Sequence, residues 1–263
     1  MLLRPLPVRG PFPWAQLLDY LSVRLIPDVE EVQESRYLRH VGGSTIAVSF
    51  NARASRLEAS VDKAVDEAAA LAGIARVFDL EFDSNIVRDC LGDMPLLAPL
   101  IAKVPGMRPL GAWSAFELCV RTILGQQVTV AAAGTLMRRW VQRCGAITPA
   151  CILAADLANM GMPGKRVETV RALAIAMEEQ RVRFDRPWSE IDAALKTLPG
   201  FGPWTRAYLA IRLGRDPDAF PASDLGLIRA AKVDTPAALL KLAESWRPYR
   251  AYAATYLWAV TPA

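Results

Sequence analysis

The sequence predicts an α+β fold, in which a small antiparallel β-sheet near the N-terminus precedes a larger, mostly helical part. Residues 32–60 contain short β-rich segments separated by glycine or asparagine turn signals. From about residue 81 onward, capping and turn signals instead delimit helices. With 263 residues, 52% of them apolar and 22% charged, the chain can bury a sizeable core divided between two or three domains.

Helices precede and follow the predicted sheet in the sequence. A short helix is expected over about residues 14–24, after a proline-rich start. A second is expected over about 62–77, an alanine-rich stretch with Asp62 and Asp66 in its early turns, and it should pack against the sheet. The predicted strands lie within residues 34–41, 44–50 and 55–61.

Capping signals mark the helices of the second part. Ser114 and Glu117 form a capping box before an apolar stretch. Ser189 and Asp192 resemble a second capping box, and Thr235 is an N-cap followed by proline at the first helical position. The predicted helices cover about residues 114–124, 128–144, 165–180, 189–198, a stretch from 236 onward, and 249–260.

Composition restricts the classes of site and partner. The four cysteines are too widely spaced for a zinc site or an iron–sulfur cluster, and the single histidine, His40, is too isolated for a catalytic triad, so no side-chain metal site is expected. The net charge of +4 slightly favours a polyanionic partner. No uncharged run reaches the ~18–20 residues that span a bilayer, and the N-terminus lacks a signal-peptide core, so we expect a cytoplasmic protein that binds no membrane.

The stretch 189–232 contains the most specific pattern. Gly200 and Gly202 lie between two predicted helices, and their spacing predicts a tight hairpin turn with exposed backbone N–H groups. These donors stand at the N-terminus of the following helix, whose dipole favours an anion such as a DNA phosphate. A turn without any ligand would have the same pattern, so both interpretations stay open at this point.

Asp224 opens the next predicted helix after a turn-rich loop. As an N-cap it would stabilise the helix, and the helix dipole would stabilise its carboxylate. Near a phosphate-binding turn, the same carboxylate would suit stabilisation of the oxocarbenium-like sugar that forms when a glycosidic bond breaks. The residues alone allow either role.

The segment 198–208, Leu-Pro-Gly-Phe-Gly-Pro-Trp-Thr-Arg-Ala-Tyr, followed by Asp224, resembles the helix-hairpin-helix and Gly/Pro-Asp signature of the DNA base-excision glycosylase superfamily. Within that superfamily, the chain resembles the bacterial inducible 3-methyladenine-DNA glycosylase II family over nearly its whole length. Further segments that support the resemblance are 75–80, 115–128, 160–166 and 246–252.

This resemblance implies a two-lobed, mostly α-helical helix-hairpin-helix glycosylase core and an accessory N-terminal domain with a β-sheet. The expected α+β domain covers residues 1–80, and the helical domain with the hairpin covers 105–215. The second helical lobe, formed by 81–104 and 216–263, would hold Asp224.

The family also implies roles for the residues that match its motif. Asp224 would be the catalytic carboxylate, and Gly200, Gly202 and the N–H groups near Thr205 would bind a DNA phosphate. Backbone carbonyls of the hairpin would bind a monovalent cation, Na+ or K+, without side-chain ligands. No other cofactor is expected.

Aromatic residues are expected to form a pocket for an extruded base. Trp204 and Tyr208, at i and i+4, share one helix face, and the resemblance places them in this pocket together with Trp258. Tyr20 stands where the family has an aromatic residue from the N-terminal region. Two places stay open for its side chain, the wall of the base pocket and the apolar core. A purine alkylated at N3 or N7 is cationic, so cation–π attraction would add ~0.5–2 kcal/mol to its stacking.

Three positions depart from the family pattern. Gln127 follows Gln126 where some members insert a leucine into the DNA stack, so either glutamine is a candidate to fill the space left by a flipped base. Ser223 precedes the aspartate where some relatives have a second acid. Ala259 stands where some have an aromatic residue, and it is expected to widen the pocket.

The resemblance implies a monofunctional, monomeric glycosylase that acts on double-stranded DNA containing alkylated purines, such as 3-methyladenine or 7-methylguanine. Bifunctional relatives have a lysine nucleophile at the position of Trp204, so the product here would be an abasic site. Two alternatives stay open: a related glycosylase for deaminated or mismatched bases, and a DNA-binding module without catalysis.

Overall fold

The computed structural model describes residues 2–214 and 216–260. Its N-terminal part contains a five-stranded antiparallel sheet with the strand order β1-β5-β4-β3-β2. The strands are β1 Leu2–Pro7, β2 Glu30–Gln33, β3 Arg36–Val41, β4 Ser44–Asn51 and β5 Arg56–Val61.

Strands β3, β4 and β5 confirm the three predicted segments, whereas β1 and β2 were not predicted. β1 lies at the edge of the sheet, and an edge strand tolerates proline residues such as Pro5 and Pro7. A proline-rich start can therefore still form a strand. Side chains alternate between the two faces of β4 and β5, and Ile46, Val48 and Leu57 are fully buried on the inner face.

Two helices pack against the sheet, α1 Trp14–Ser22 and α2 Glu67–Phe78. The prediction that α2 begins near residue 62 was wrong. Asp66 is its N-cap and accepts a hydrogen bond from the backbone N–H of Ala69. The Asp62 carboxylate accepts the backbone N–H of Ala64 and so caps only the turn that precedes α2.

The rest of the described chain is helical, as predicted. Ser114 and Thr235 are N-caps that accept the backbone N–H groups of Glu117 and Ala238, as predicted. The capping box at Ser114 is only half formed, because the Glu117 carboxylate bonds Arg39 and not the Ser114 N–H. The predicted cap at Ser189 was wrong, because the helix begins at Trp188, after Pro187, and Ser189 lies inside it. The helices are α3 Asn85–Leu91, α4 Ala98–Lys103, α5 Ala115–Leu124, α6 Val130–Cys144, α7 Pro149–Ala154, α8 Gly164–Glu178, α9 Trp188–Lys196, α10 Pro203–Arg212, α11 Leu225–Ala230, α12 Pro236–Ala243 and α13 Arg250–Val260, with a 3-10 turn at Glu244–Trp246.

Buried apolar side chains form two cores. The first joins the sheet and α1–α4 to the C-terminal helices α11–α13. The second lies among α5–α10 and includes Trp140 and Leu173. A buried ion pair links the two, since Nη2 of Arg39 on β3 lies 2.6 Å from Oε1 of Glu117 on α5. A cleft lined by residues of both cores contains the candidate site.

The described residues contain no group of three or more metal-ligating side chains, and the four cysteines have free thiols. None of the helices in the described ranges is long and apolar enough to cross a membrane.

Candidate active site

The Asp224 carboxylate accepts three N–H groups. As the N-cap of α11 it accepts the backbone N–H of Leu227 at Oδ1 over 2.9 Å, which confirms the predicted cap. Trp204 on α10 donates its indole N–H to Oδ2 over 2.8 Å, and Trp258 on α13 donates to Oδ1 over 3.2 Å. Both side-chain oxygens are therefore fixed in orientation by residues from separate helices.

The aromatic residues form one cluster beside this carboxylate. The rings of Trp204 and Tyr208 are stacked, with centroids 5.2 Å apart and an angle of 9° between their planes. Trp258 meets Tyr208 edge to face at 5.8 Å. The structure thus brings together the three aromatic residues that the resemblance assigned to a base pocket.

A cavity of about 420 Å³, here called the Asp224 cavity, opens between the two cores. Its walls come from both sides of the cleft, because Tyr20 belongs to α1 and Trp204 to α10. Tyr20 is only 9% exposed, yet it lines the cavity, so it belongs to both core and cavity wall. The other lining residues that the site uses are Arg24, Arg121, Tyr208 and Trp258.

Arginine side chains that no sequence motif indicated surround the phenol rings. The guanidinium carbon of Arg24 lies 3.8 Å from the centre of the Tyr20 ring. Buried Arg212 donates from Nη1 to the hydroxyl of Tyr208 over 2.6 Å. Burial raises the pKa of Tyr208, but the guanidinium groups of Arg212 and Arg24 outweigh it and lower that pKa overall. Burial lowers the pKa of Arg121 to about 10.

The sequence contained one signal for these arginines. Arg121 lies in α5, where most side chains are apolar, and an arginine in such a helix is expected to have a specific partner or role. Arg24 follows the end of α1 and reaches the site only through the docking of the N-terminal domain, so local patterns could not identify it.

The hairpin between α9 and α10 has the predicted tight geometry. Gly200 adopts a positive φ of 78°, and a Cβ atom at this position would lie 2.8 Å from Cγ2 of Thr169 on α8. Gly202 is exposed and is the N-cap of α10. Thr205 is buried, with 4% of its surface exposed, and its hydroxyl accepts the side-chain N–H of Gln126.

Two hairpin carbonyls already accept hydrogen bonds. The Gly200 carbonyl accepts the side-chain N–H of Gln126 over 2.9 Å. The Phe201 carbonyl accepts a guanidinium N–H of Arg206 over 2.7 Å. Each carbonyl oxygen has a second lone pair, and Arg206 is itself paired with Asp192 over 2.7 Å, so the Na+ or K+ at the hairpin stays a prediction.

The two glutamines of the α5–α6 turn differ in their surroundings. The Gln126 amide also lies 3.2 Å from the hydroxyl of Thr205, so its side chain is tied to the hairpin. Gln127 is exposed and has a positive φ of 56°, which places it at the tip of the turn. The other departures also lie at the surface: Ser223 is exposed, and Ala259 lines a neighbouring cavity of about 330 Å³ rather than the Asp224 cavity.

Family models match both parts of the chain. The AlkA N-terminal domain model matches residues 3–114, and the HhH-GPD superfamily model of base excision DNA repair proteins matches residues 120–238. DNA-3-methyladenine glycosylase 2 of Escherichia coli K12 is 34% identical over 272 residues, which cover 94% of each chain. A probable bifunctional transcriptional activator/DNA repair enzyme AlkA of Mycobacterium tuberculosis is 33% identical over 276 residues. That match covers 96% of this chain but 56% of the relative, so the chain spans about half the length of this relative.

Solved structures have the same fold. A 3-methyladenine DNA glycosylase from Archaeoglobus fulgidus superposes with a TM-score of 0.77 at 21% identity, covering 98% of this chain and 97% of that chain. The 3-methyladenine DNA glycosylase of Schizosaccharomyces pombe, in complex with abasic DNA, gives a TM-score of 0.57 at 25% identity, covering 66% of this chain and 95% of that chain.

Proposed function

This chain belongs to the 3-methyladenine-DNA glycosylase II family of the helix-hairpin-helix glycosylase superfamily, and we propose that it excises alkylated purines from double-stranded DNA in base excision repair. The observation with the most weight is the environment of Asp224. Its carboxylate borders a cavity with aromatic walls, and two indole N–H groups hold it there. A DNA-binding module without catalysis would not need this arrangement.

The Asp224 cavity is the proposed site of the extruded base. Flipping a base out of the duplex costs a few kcal/mol, and least for a damaged base. The stacked rings of Trp204 and Tyr208 provide an electron-rich surface for a cationic alkylpurine. Tyr20 contributes to the cavity wall from the N-terminal domain.

Asp224 is the proposed catalytic residue. When the bond between C1′ and the purine nitrogen breaks, both bonding electrons stay on the base and positive charge develops on the sugar. The carboxylate stabilises that charge and orients a water molecule for addition to C1′. An alkylpurine cation leaves as a neutral base, so the reaction needs no general acid.

The proposed product is an abasic site. Trp204 occupies the position at which bifunctional relatives have a lysine, and no lysine occurs among the described residues that line the Asp224 cavity. A Schiff-base step is therefore not part of the proposal. The proposal keeps the predicted monovalent cation, Na+ or K+, on backbone carbonyls of the hairpin, whose oxygens each have a second lone pair.

DNA contacts are proposed at the hairpin and at the α5–α6 turn. The exposed backbone at Gly202 opens α10, where N–H groups and the helix dipole suit a phosphate. Gln127 is the better candidate for the space left by the base, because Gln126 is bonded to the hairpin. We further propose that the protein acts as a monomer in the cytoplasm.

Release of free bases from methylated duplex DNA, resolved by chromatography, tests the proposal. Wild type is expected to release 3-methyladenine, and Asp224→Asn to lose at least about a hundredfold in rate while still binding DNA. Asparagine keeps the cap on α11, so the fold should persist. Asp185→Asn is the matched control, because that carboxylate is 63% exposed and pairs only with Arg183 among the described residues. Equal activity of Asp224→Asn and wild type would refute the assignment.

A further inference from the structure

The segment that leads into Asp224 contains no helix or strand between residue 216 and the start of α11 at Leu225. Backbone hydrogen bonds fold it into turns, and the last of these joins the Asp224 N–H to the Pro221 carbonyl over 2.8 Å. Turns alone do not fix where the carboxylate lies relative to the surrounding helices. The position of Asp224 therefore depends on contacts between this segment and those helices.

A bidentate ion pair between Asp218 and Arg250, here called the clamp, holds the segment to the start of α13. Arg250 donates from Nε to Oδ1 of Asp218 over 2.8 Å and from Nη2 to Oδ2 over 2.9 Å. The same two nitrogens also donate to the Asp218 carbonyl, over 3.1 and 2.8 Å. The two side chains are 11% and 21% exposed, so solvent screens the pair little. A bidentate pair fixes orientation as well as distance.

Two neighbouring contacts reinforce the clamp. The backbone N–H of Ala251 donates to the Pro217 carbonyl over 2.9 Å, so main chain as well as side chains join the segment to α13. Arg247 forms a second ion pair with Asp218, but its side chain is 47% exposed. Because exposed pairs contribute little, Arg250 is the main partner of Asp218.

Helix α13 connects the clamp to the active site. Trp258 stands eight residues after Arg250 on this helix and donates its indole N–H to Oδ1 of Asp224. Eight residues of α-helix rise about 12 Å, and this length cannot change without breaking backbone hydrogen bonds. The clamp therefore holds the segment before Asp224 at a fixed place relative to Trp258.

The Asp224 carboxylate requires such alignment, because its bonds are directional. Trp204 and Trp258 donate to it from separate helices, over 2.8 and 3.2 Å. A displacement of about 1 Å would stretch the longer bond past the limit of about 3.5 Å and would also move the carboxylate relative to the sugar. Electrostatic stabilisation of the sugar depends on a carboxylate that is already in place when the bond breaks.

We propose, on the basis of the proposed function, that Asp218 and Arg250 are positioning residues for the glycosylase reaction. Neither is among the described residues that line the Asp224 cavity, so they act through Asp224. Their task is to keep its carboxylate where both indoles and the reacting sugar meet it. Stability alone is a weak reason for a largely buried ion pair, because apolar side chains of similar volume stabilise a protein as well or better.

The single-turnover rate of 3-methyladenine release from methylated duplex DNA tests the proposal. Asp218→Asn keeps the shape of the side chain but removes its charge and one of two acceptor oxygens, and the rate should fall roughly tenfold to a hundredfold. Affinity for duplex DNA should change little, because the hairpin and the α5–α6 turn are untouched. Arg250→Lys keeps the charge without the planar group and should lose part of the rate, which keeps the test decisive if Asp218→Asn does not fold.

The matched control is Asp185→Asn. Arg183 binds Asp185 with the same two-nitrogen geometry, over 3.1 and 2.6 Å, but the side chains are 40% and 63% exposed and only two residues apart. Loss of this pair should leave the rate unchanged.

A double variant separates positioning from a merely structural role. In an Asp224→Asn background, Asp218→Asn has no carboxylate left to misplace, so the double variant should release bases as slowly as Asp224→Asn alone. A structural defect would instead lower the rate by the same factor in both backgrounds, and that result would refute the proposal.

The indole N–H resonances of Trp204 and Trp258 provide a readout that needs no activity. They can be assigned in ¹⁵N spectra of the free protein from the signals missing in Trp204→Phe and Trp258→Phe. Weaker hydrogen bonds to Asp224 move such resonances upfield, so Asp218→Asn should shift them and Asp185→Asn should not. Resonances that stay in place in Asp218→Asn would refute the clamp.

The outcomes distinguish this inference from the proposed function. If wild type and Asp218→Asn release 3-methyladenine at the same rate, the proposed function stands and the clamp is refuted. If wild type releases no base, the proposed function fails, and the indole resonances alone decide whether the clamp positions the carboxylate.

Discussion

Trp204 and Asp224 are joined by a hydrogen bond of 2.8 Å from the indole Nε1 to Oδ2, although 20 residues separate them in the sequence. The same indole is stacked on Tyr208. One side chain therefore forms a wall of the cavity and also orients the carboxylate. Because the first role needs the ring and the second needs the N–H group, substitution can separate them.

Trp204→Phe should slow base excision without weakening DNA binding. Phenylalanine keeps an aromatic ring beside Tyr208 but cannot donate to Asp224. A hydrogen bond to a charged group contributes ~1.5–3 kcal/mol, so the single-turnover rate should fall roughly tenfold to a hundredfold. Trp188→Phe is the control, since Trp188 opens α9, is partly buried against the core and is not among the described residues that line the Asp224 cavity. A wild-type rate for Trp204→Phe would show that the indole does not orient the carboxylate.

Gly200→Ala should destabilise the protein by about 1–3 kcal/mol, because alanine would be strained at a φ of 78° and would press on Thr169. The loss is measurable as a lower free energy of unfolding in urea. Since the hairpin would move away from α8, affinity for DNA should fall as well.

The matched control for this prediction is Gly134→Ala. Gly134 lies inside α6, and a Cβ atom there meets nothing within 4 Å. Alanine at an unobstructed helical position should stabilise the protein by up to ~1 kcal/mol. If both variants shift stability in the same direction, the close approach of Gly200 to Thr169 is not what requires glycine.

Features that depend on neighbouring residues were predictable from the sequence, and those that depend on distant contacts were not. The caps at Ser114 and Asp224 arise within a few residues, so local patterns identified them. Strand β1 forms because it pairs with β5, about 50 residues later in the chain, and its prolines concealed it from the sequence analysis. The same reason applies to Arg24, which enters the site through docking of the N-terminal domain.

Asp79 should make stability depend on pH between about 4 and 7. Burial raises its pKa from 3.8 to about 6, although a hydrogen bond from the Tyr252 hydroxyl acts in the opposite direction. Because the folded state holds the proton more tightly, this contribution to stability is fully present below a pH of 3.8 and is lost as the pH rises through about 6. A shift of ~2 pKa units corresponds to at most ~3 kcal/mol.

Asp79→Asn should remove this dependence. Asparagine tolerates the left-handed conformation that Asp79 adopts, with φ of 49°. The free energy of unfolding of the variant, relative to wild type, should increase by up to ~3 kcal/mol between pH ~4 and ~7. Asp89→Asn is the control, because Asp89 is 64% exposed. A constant difference between Asp79→Asn and wild type across this range would contradict the prediction.

Gln127→Ala should slow excision from duplex DNA more than from single-stranded DNA. Gln127 is proposed to fill the space that the flipped base leaves in the duplex. Single-stranded DNA has no complementary strand and therefore no such space to fill, so the loss of Gln127 should affect duplex substrates. The duplex rate should fall roughly tenfold, equivalent to ~1.4 kcal/mol, and the single-strand rate should change little. Both rates can be measured on one lesion-containing oligonucleotide, with and without its complement.

Gln126→Ala provides the contrast, because Gln126 is bonded to Gly200 and Thr205 and acts through the hairpin. A hairpin that binds a backbone phosphate contacts both substrates, so this variant should weaken activity on duplex and single-stranded DNA alike. The ratio of the two rates therefore identifies the residue that enters the stack. A duplex-specific defect in Gln126→Ala and none in Gln127→Ala would require the hairpin contact to break when DNA binds, and Gln126 would then be the intercalating residue.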